Sequence, residues 1–260
     1  MGSSPSLSDV NRSGTTIRLM TGCTLDENQE RSDSAWIASF DSSGWSAYWN
    51  SLELAAWTAL IGTVVVFLGA WLLEKTRGFA WGRGIAQFMA MLPMAVPGLV
   101  LGLAYIFFFN ARGNPLGFLY ATMAILVVNS VTHFYTVSHL TATTALKQLD
   151  DEFEAVSASL KVSLFRTMAR VTVPVCLPAV LDVSIYLFVN AMTTVSAVIF
   201  LYSTETKPAA VTIVNMDEAG FTAAAAAMAV CIVVTSAAVK IVHLMLTRRL
   251  ERKTQAWRKR

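Results

Sequence analysis

Residues Leu149–Pro178 read LDDEFEAVSASLKVSLFRTMARVTVPVCLP, a charged, amphipathic stretch lodged between two runs apolar enough to cross a bilayer. Phe153, Val156, Leu160, Leu164, Met168 and Val171 recur at steps of three and four, which sets them along one face of a helix. Glu154, Lys161, Arg166 and Arg170 fall on the other faces. An apolar stripe of this kind outside the membrane needs a cover, so the stretch is expected to dock on another protein. Pro174 and Pro178 end it and open the next apolar run.

Outward from this stretch the chain is built for lipid. Of its 260 residues 55% are hydrophobic and 14% charged, against about 25% charged in soluble domains, and mean hydropathy is +0.53. This composition indicates an integral membrane protein and excludes an ordinary soluble domain. Five runs approach the roughly 20 residues that a spanning helix needs: Ser51–Leu73, Ile85–Phe109, Gly117–Leu140, Leu177–Leu201 and Ala223–Leu246. The expected fold is therefore all-α, a polytopic membrane helix bundle of about five spans. Residues 1–44, rich in Ser, Thr, Asn and acids and without periodicity, are expected to be a disordered or atypical leader.

Charge placement suggests topology. Lys75, Arg77 and Arg83 follow the first run, Lys147, Lys161, Arg166 and Arg170 lie between the third and fourth, and Arg248 to Arg260 form a basic tail. Basic loops stay in the cytoplasm, which sets the N-terminus outside, the 141–173 loop inside and the C-terminus inside. The tail directly follows a spanning run, so topology explains it better than nucleic acid does.

The second run holds LPMAVPGLVLG, with Pro93, Pro97 and Gly98 at membrane depth. A helix break is expected there, either beside a translocation path or as a packing kink at Gly98 and Gly102. Cys23, Cys176 and Cys231 are scattered, and no His, Cys or carboxylate pair has metal-site spacing, so neither metal nor cofactor is assigned. There is no phosphate-binding G-x-x-x-x-G-K-[ST] loop.

The chain resembles the transmembrane permease subunits of bacterial binding-protein-dependent ABC importers, whose cytoplasmic loop reads EAA, three residues, Gly, nine residues, then I-x-L-P. Counting back from Pro174, Val171 to Val173 take the I-x-L places, Lys161 the Gly place and Ala155 to Ser157 the triplet, with Glu154 one place early. The spacing, the apolar face and the proline match, whereas the signature Glu and Gly are substituted. The segments GAWLLEKTRG, LPMAVPGLVLGLAY, HFYTVSHL and LFVNAMTTVSAV are similar to permeases of 2-aminoethylphosphonate importers. The resemblance implies a non-enzymatic solute path for 2-aminoethylphosphonate or a related phosphonate. Ferric ion, a polyamine, thiamine or an oxyanion remain open as cargo. It also implies a separate ATP-binding cassette ATPase subunit, a periplasmic solute-binding protein, a second permease half or second copy, and a bacterial inner-membrane location.

Two sets of site residues follow. By the resemblance, Glu154, Ala155, Ser159, Leu160, Lys161 and Arg166 would couple to the ATPase subunit. Asn129 and His133, with Thr132 and Thr136, form a polar stripe on the third run, and Asn190, Thr193 and Thr194 a patch on the fourth. Polar groups in spans face the bundle or water, so these either line the solute route or join helices. A membrane enzyme using His133 or His139 with Asp182 would need converging groups, which no motif provides. An assembly subunit or a fragment is the remaining alternative.

Overall fold

The computed structural model describes residues 27–75, 80–149, 157, 159 and 161–254. The chain divides into two compact units, 1–45 and 46–260. The described part of the first unit is helical and begins α1 (Glu27–Lys75). Helix therefore starts seventeen positions before Gly44, where the sequence suggested none. Glu27, Gln29, Glu30, Arg31, Ala35 and Ala38 are good helix formers, and a helix already nucleated by an apolar span extends at little cost.

The rest of the bundle comprises α2 (Ala80–Ala95), α3 (Gly98–Phe109), α4 (Met123–His133), α5 (Tyr135–Lys147), a short α6 opening at Leu164–Thr167, α7 (Leu177–Thr193), α8 (Ala209–Glu218) and α9 (Thr222–Thr254). No strand occurs among the described residues. Gly44–Lys75 and Thr222–Arg249 are long and apolar enough to cross a membrane alone. Two further spans count only as bent pairs, Trp81–Ala95 with Gly98–Phe109 at 110° and Phe165–Val175 with Leu177–Thr193 at 76°.

Three sequence expectations are adjusted by this arrangement. The third run is not one helix from Gly117: a 3₁₀ turn occupies Gly117–Leu119, and α4 begins at Met123. After a one-residue interruption at Phe134, α5 runs to Lys147, beyond the loop start expected at Thr141, because Ala142 and Leu146 are wholly buried. The fourth run stops being helical at Thr193, where Thr194 turns extended. The Thr193 hydroxyl bonds back to the Val189 and Asn190 carbonyls at 3.1 and 3.4 Å, and β-branched residues with such local bonds favour helix ends.

Two apolar clusters hold the second unit together. One joins Val66, Phe67 and Trp71 of α1 to Leu146 of α5 and Val183 and Leu187 of α7. The other joins Leu54 of α1 to Ile125 and Leu126 of α4, Val198 and Leu201 after α7, and Val211 of α8. Polar clasps fix the same register. Ser51 Oγ accepts the Ala209 N–H at 2.7 Å, which satisfies an orphan donor at the start of α8. Asn50 Nδ2 donates to the carbonyls of Glu205 and Lys207 at 2.6 and 3.2 Å.

Candidate functional site

The stretch that decided the fold has two parts divided by a turn. Val162 N–H donates to the Ser157 carbonyl at 3.0 Å, and between them Lys161 adopts φ +52°. A six-to-one bond closing over a left-handed residue is the Schellman ending of a helix. The apolar repeat from Phe153 to Val171 therefore does not lie on one continuous helix. Helix ends before Lys161 and restarts where the Ser163 carbonyl accepts the N–H of Arg166 and Thr167, at 2.9 and 3.1 Å. Lys161 takes the backbone geometry that Gly adopts freely, at the place where the resemblance sets a Gly.

Beyond Thr167 the backbone widens into a π-turn over Met168–Thr172 and tightens again at Val173–Val175. Pro174 lacks an N–H, so the Arg170 carbonyl has no i+4 donor. Chain direction then changes at Cys176, whose N–H reaches the Thr172 carbonyl at 2.9 Å. Thr167 and Thr172 are buried, and Met168 and Val173 pack on the first cluster. Ser159, Lys161, Ser163, Phe165, Arg166, Ala169 and Arg170 are exposed.

Of the residues expected to couple, Ser159, Lys161 and Arg166 are thus on the outside of this segment. Glu154, Ala155 and Leu160 lie outside the described residues. Sequence reading passed over Phe165, which is 67% exposed and rests against the buried Trp71 of α1 with ring centroids 5.6 Å apart. Its signal was an aromatic residue off the apolar stripe.

The polar residues of the spans sit differently from one another. Asn129 is wholly buried, and its Nδ2 donates to the Ala197 carbonyl at 2.6 Å, while its Oδ1 has no protein partner. His133 lies one turn further along α4. A Cβ on Gly98 would stand 3.1 Å from the His133 ring and 2.7 Å from Ser196 Oγ, and one on Gly102 3.0 Å from the Ala197 carbonyl. The GLVLG sequence of α3 therefore presses its two glycines onto the Ser196–Ala197 turn, the small-residue packing expected in membranes. On α7, Asn190 donates to its own helix at the Tyr186 carbonyl, 2.7 Å away, and Thr193 also bonds locally, whereas Thr194 is buried. No hydrogen bond among the described residues joins the α4 stripe to the α7 patch. Ser196, which the sequence did not single out, packs against Gly98 as His133 does.

The helix break falls at Val96–Pro97, with Pro97 as the N-cap of α3 and Gly98 its first residue. Pro93 is inside α2 rather than at the break. The Thr136 hydroxyl donates to the Ala90 carbonyl at 2.8 Å, which ties α5 to α2 three residues before Pro93. Near the other end of the bundle, Asp182 Oδ1 of α7 lies 3.4 Å from the buried His243 Nε2 of α9.

Residues 65–252 match the family described as binding-protein-dependent transport system inner membrane component. The chain belongs to that family. A ferric transport system permease protein of Actinobacillus pleuropneumoniae is 34% identical over 163 residues, covering 63% of this chain and 22% of that protein. An Fe(3+)-transport system permease protein of Haemophilus influenzae is 27% identical over 165 residues, 62% of this chain and 31% of its own length. The chain thus spans less than a third of these relatives. Its fold is similar to that of a solved bacterial ABC transporter involved in the import of the acidic polysaccharide alginate. The TM-score is 0.70 at 14% identity, covering 82% of each chain.

Proposed function

We propose that this inner membrane component is the permease subunit of an ATP-driven importer. It forms part of the solute path, receives cargo from a periplasmic solute-binding protein, and is moved by a separate ATP-binding subunit that grips the segment from Ser157 to Val175. The observation that most supports the reading is the family match over residues 65–252, which contains that segment. The left-handed turn at Lys161 and the exposed Phe165, Arg166 and Arg170 give the gripping subunit a shaped, basic surface. In this reading the N-terminus is outside and the basic tail cytoplasmic, and a second permease half or a second copy completes the path.

For cargo, the names of the two iron-transport relatives favour ferric ion, one of the alternatives left open by the sequence. The similarity of four segments to 2-aminoethylphosphonate permeases supports phosphonate as the second reading. Asn129, His133, Asn190, Thr193 and Thr194, joined by Ser196, are the candidate path residues. The test is to purify the chain from its native membrane, identify the subunits that copurify, and measure uptake into vesicles of radiolabelled iron and of 2-aminoethylphosphonate. An ATPase in the complex and ATP-dependent uptake of iron are expected. Uptake of phosphonate alone would reverse the cargo assignment, and absence of any ATPase would overturn the permease reading.

A further inference from the structure

A long apolar groove runs between α1, α2 and α4, with a volume near 1310 Å³, beyond the roughly 300–1,000 Å³ of ordinary small-molecule sites. Its α1 wall extends from Glu53 to Leu73, about 30 Å at 1.5 Å per residue, the depth of the hydrocarbon core. Its walls are large apolar side chains left exposed, among them Leu72, Ile85 and Met89. The two mouths differ in charge. One carries Glu53, whereas the other carries Arg83 beside Trp81, which is 78% exposed.

Arg83 lies in the first turn of α2, next to the end of α1, and over sequence positions 74–84 Lys75, Arg77 and Arg83 outnumber Glu74. One Arg83 nitrogen reaches Glu74 Oε1 at 3.1 Å, with the Arg83 side chain 41% exposed. A guanidinium has five N–H donors in a fork suited to phosphate, so this single contact leaves donors for a second anion. A carboxylate at one mouth and a partly exposed guanidinium at the other complement an amphiphile whose anionic head sits at Arg83. Tryptophan favours the membrane interface, which suits the exposed Trp81 at this mouth.

We propose that the groove holds an anionic phospholipid of the leaflet at the Arg83 mouth, its phosphate on Arg83 and its chains along Leu72, Ile85 and Met89. The site is separate from the coupling segment and does not depend on the cargo.

The full chain would be reconstituted in nanodiscs of equal phosphatidylglycerol and phosphatidylcholine, re-extracted in detergent, and the retained lipid counted by native mass spectrometry. The wild-type chain is expected to keep phosphatidylglycerol in preference. Arg83→Gln should reduce that retention about fivefold, the effect of one basic residue at an anionic surface. Glu74→Gln, which removes the same ion pair but frees the guanidinium, should maintain or raise it, and Ala86→Trp, which fills the groove, should abolish it. Equal retention of both lipids would overturn the proposal, as would a parallel fall for Arg83→Gln and Glu74→Gln. So would a disulfide-linked pair of chains formed through Met89→Cys with no lipid retained, because a second copy would then occupy the groove.

Discussion

Replacing Lys161 with Gly should strengthen the turn that divides the 157–175 segment. Lys161 has φ +52°, where a residue with a Cβ is disfavoured by roughly 1–2 kcal/mol. Glycine removes that strain but loses about 0.5–1 kcal/mol more backbone entropy on ordering. Because Lys161 is exposed, no packing is lost with its side chain. Taken at like ends of the two ranges, the difference leaves about 0.5–1 kcal/mol in favour of Lys161→Gly, or roughly two- to fivefold in a local opening equilibrium. Hydrogen exchange at the Val162 amide reads that opening directly, since its N–H is the one bonded to the Ser157 carbonyl at 3.0 Å. Exchange should slow two- to fivefold in Lys161→Gly and accelerate in Lys161→Val, whose β-branch is worse still in this region. Unchanged or faster exchange in the glycine variant would refute the capping argument.

Other perturbations test the bundle. Gly98→Val would thrust side-chain atoms onto Ser196 Oγ and the His133 ring, an overpacking expected to destabilise by about 1–3 kcal/mol and to lower membrane abundance; normal abundance would contradict the close approach. Asn129→Leu leaves the buried Ala197 carbonyl without its donor, at about 1–3 kcal/mol, and should lower the midpoint of thermal unfolding in detergent. Gly69→Ala sets a Cβ 2.5 Å from the Tyr135 hydroxyl oxygen, so its loss of stability should be largely restored by adding Tyr135→Phe. If the double variant is no better than the single one, the contact is misassigned.

Some of this was legible because it is additive along the chain. The first and last spans are sums of apolar residues, and both appear as single long helices, Gly44–Lys75 and Thr222–Arg249. The break near Gly98 followed from Pro97 having no N–H, although composition could not say that Pro93 would stay inside α2. The turn at Lys161 could be located only by counting back from Pro174, because nothing in the side chain of lysine marks a left-handed residue. Ser196 and the Trp71–Phe165 contact were not legible, since each depends on residues distant in sequence meeting in space. Asp182 and His243 are 61 positions apart in sequence, and only the fold sets them 3.4 Å apart. The apolar count of the fourth run also hid the end of α7, because Thr193 and Thr194 change backbone preference without interrupting the hydrophobic stretch.

The central claim is that an ATP-binding subunit grips the Lys161 turn from the cytoplasm. It is tested most directly by labelling a lone cysteine at Lys161→Cys, with Cys23, Cys176 and Cys231 replaced, using a membrane-impermeant maleimide. The account predicts labelling in inverted membrane vesicles but not in intact spheroplasts, and protection when the ATPase subunit is bound. Labelling from the outer face of spheroplasts would contradict it.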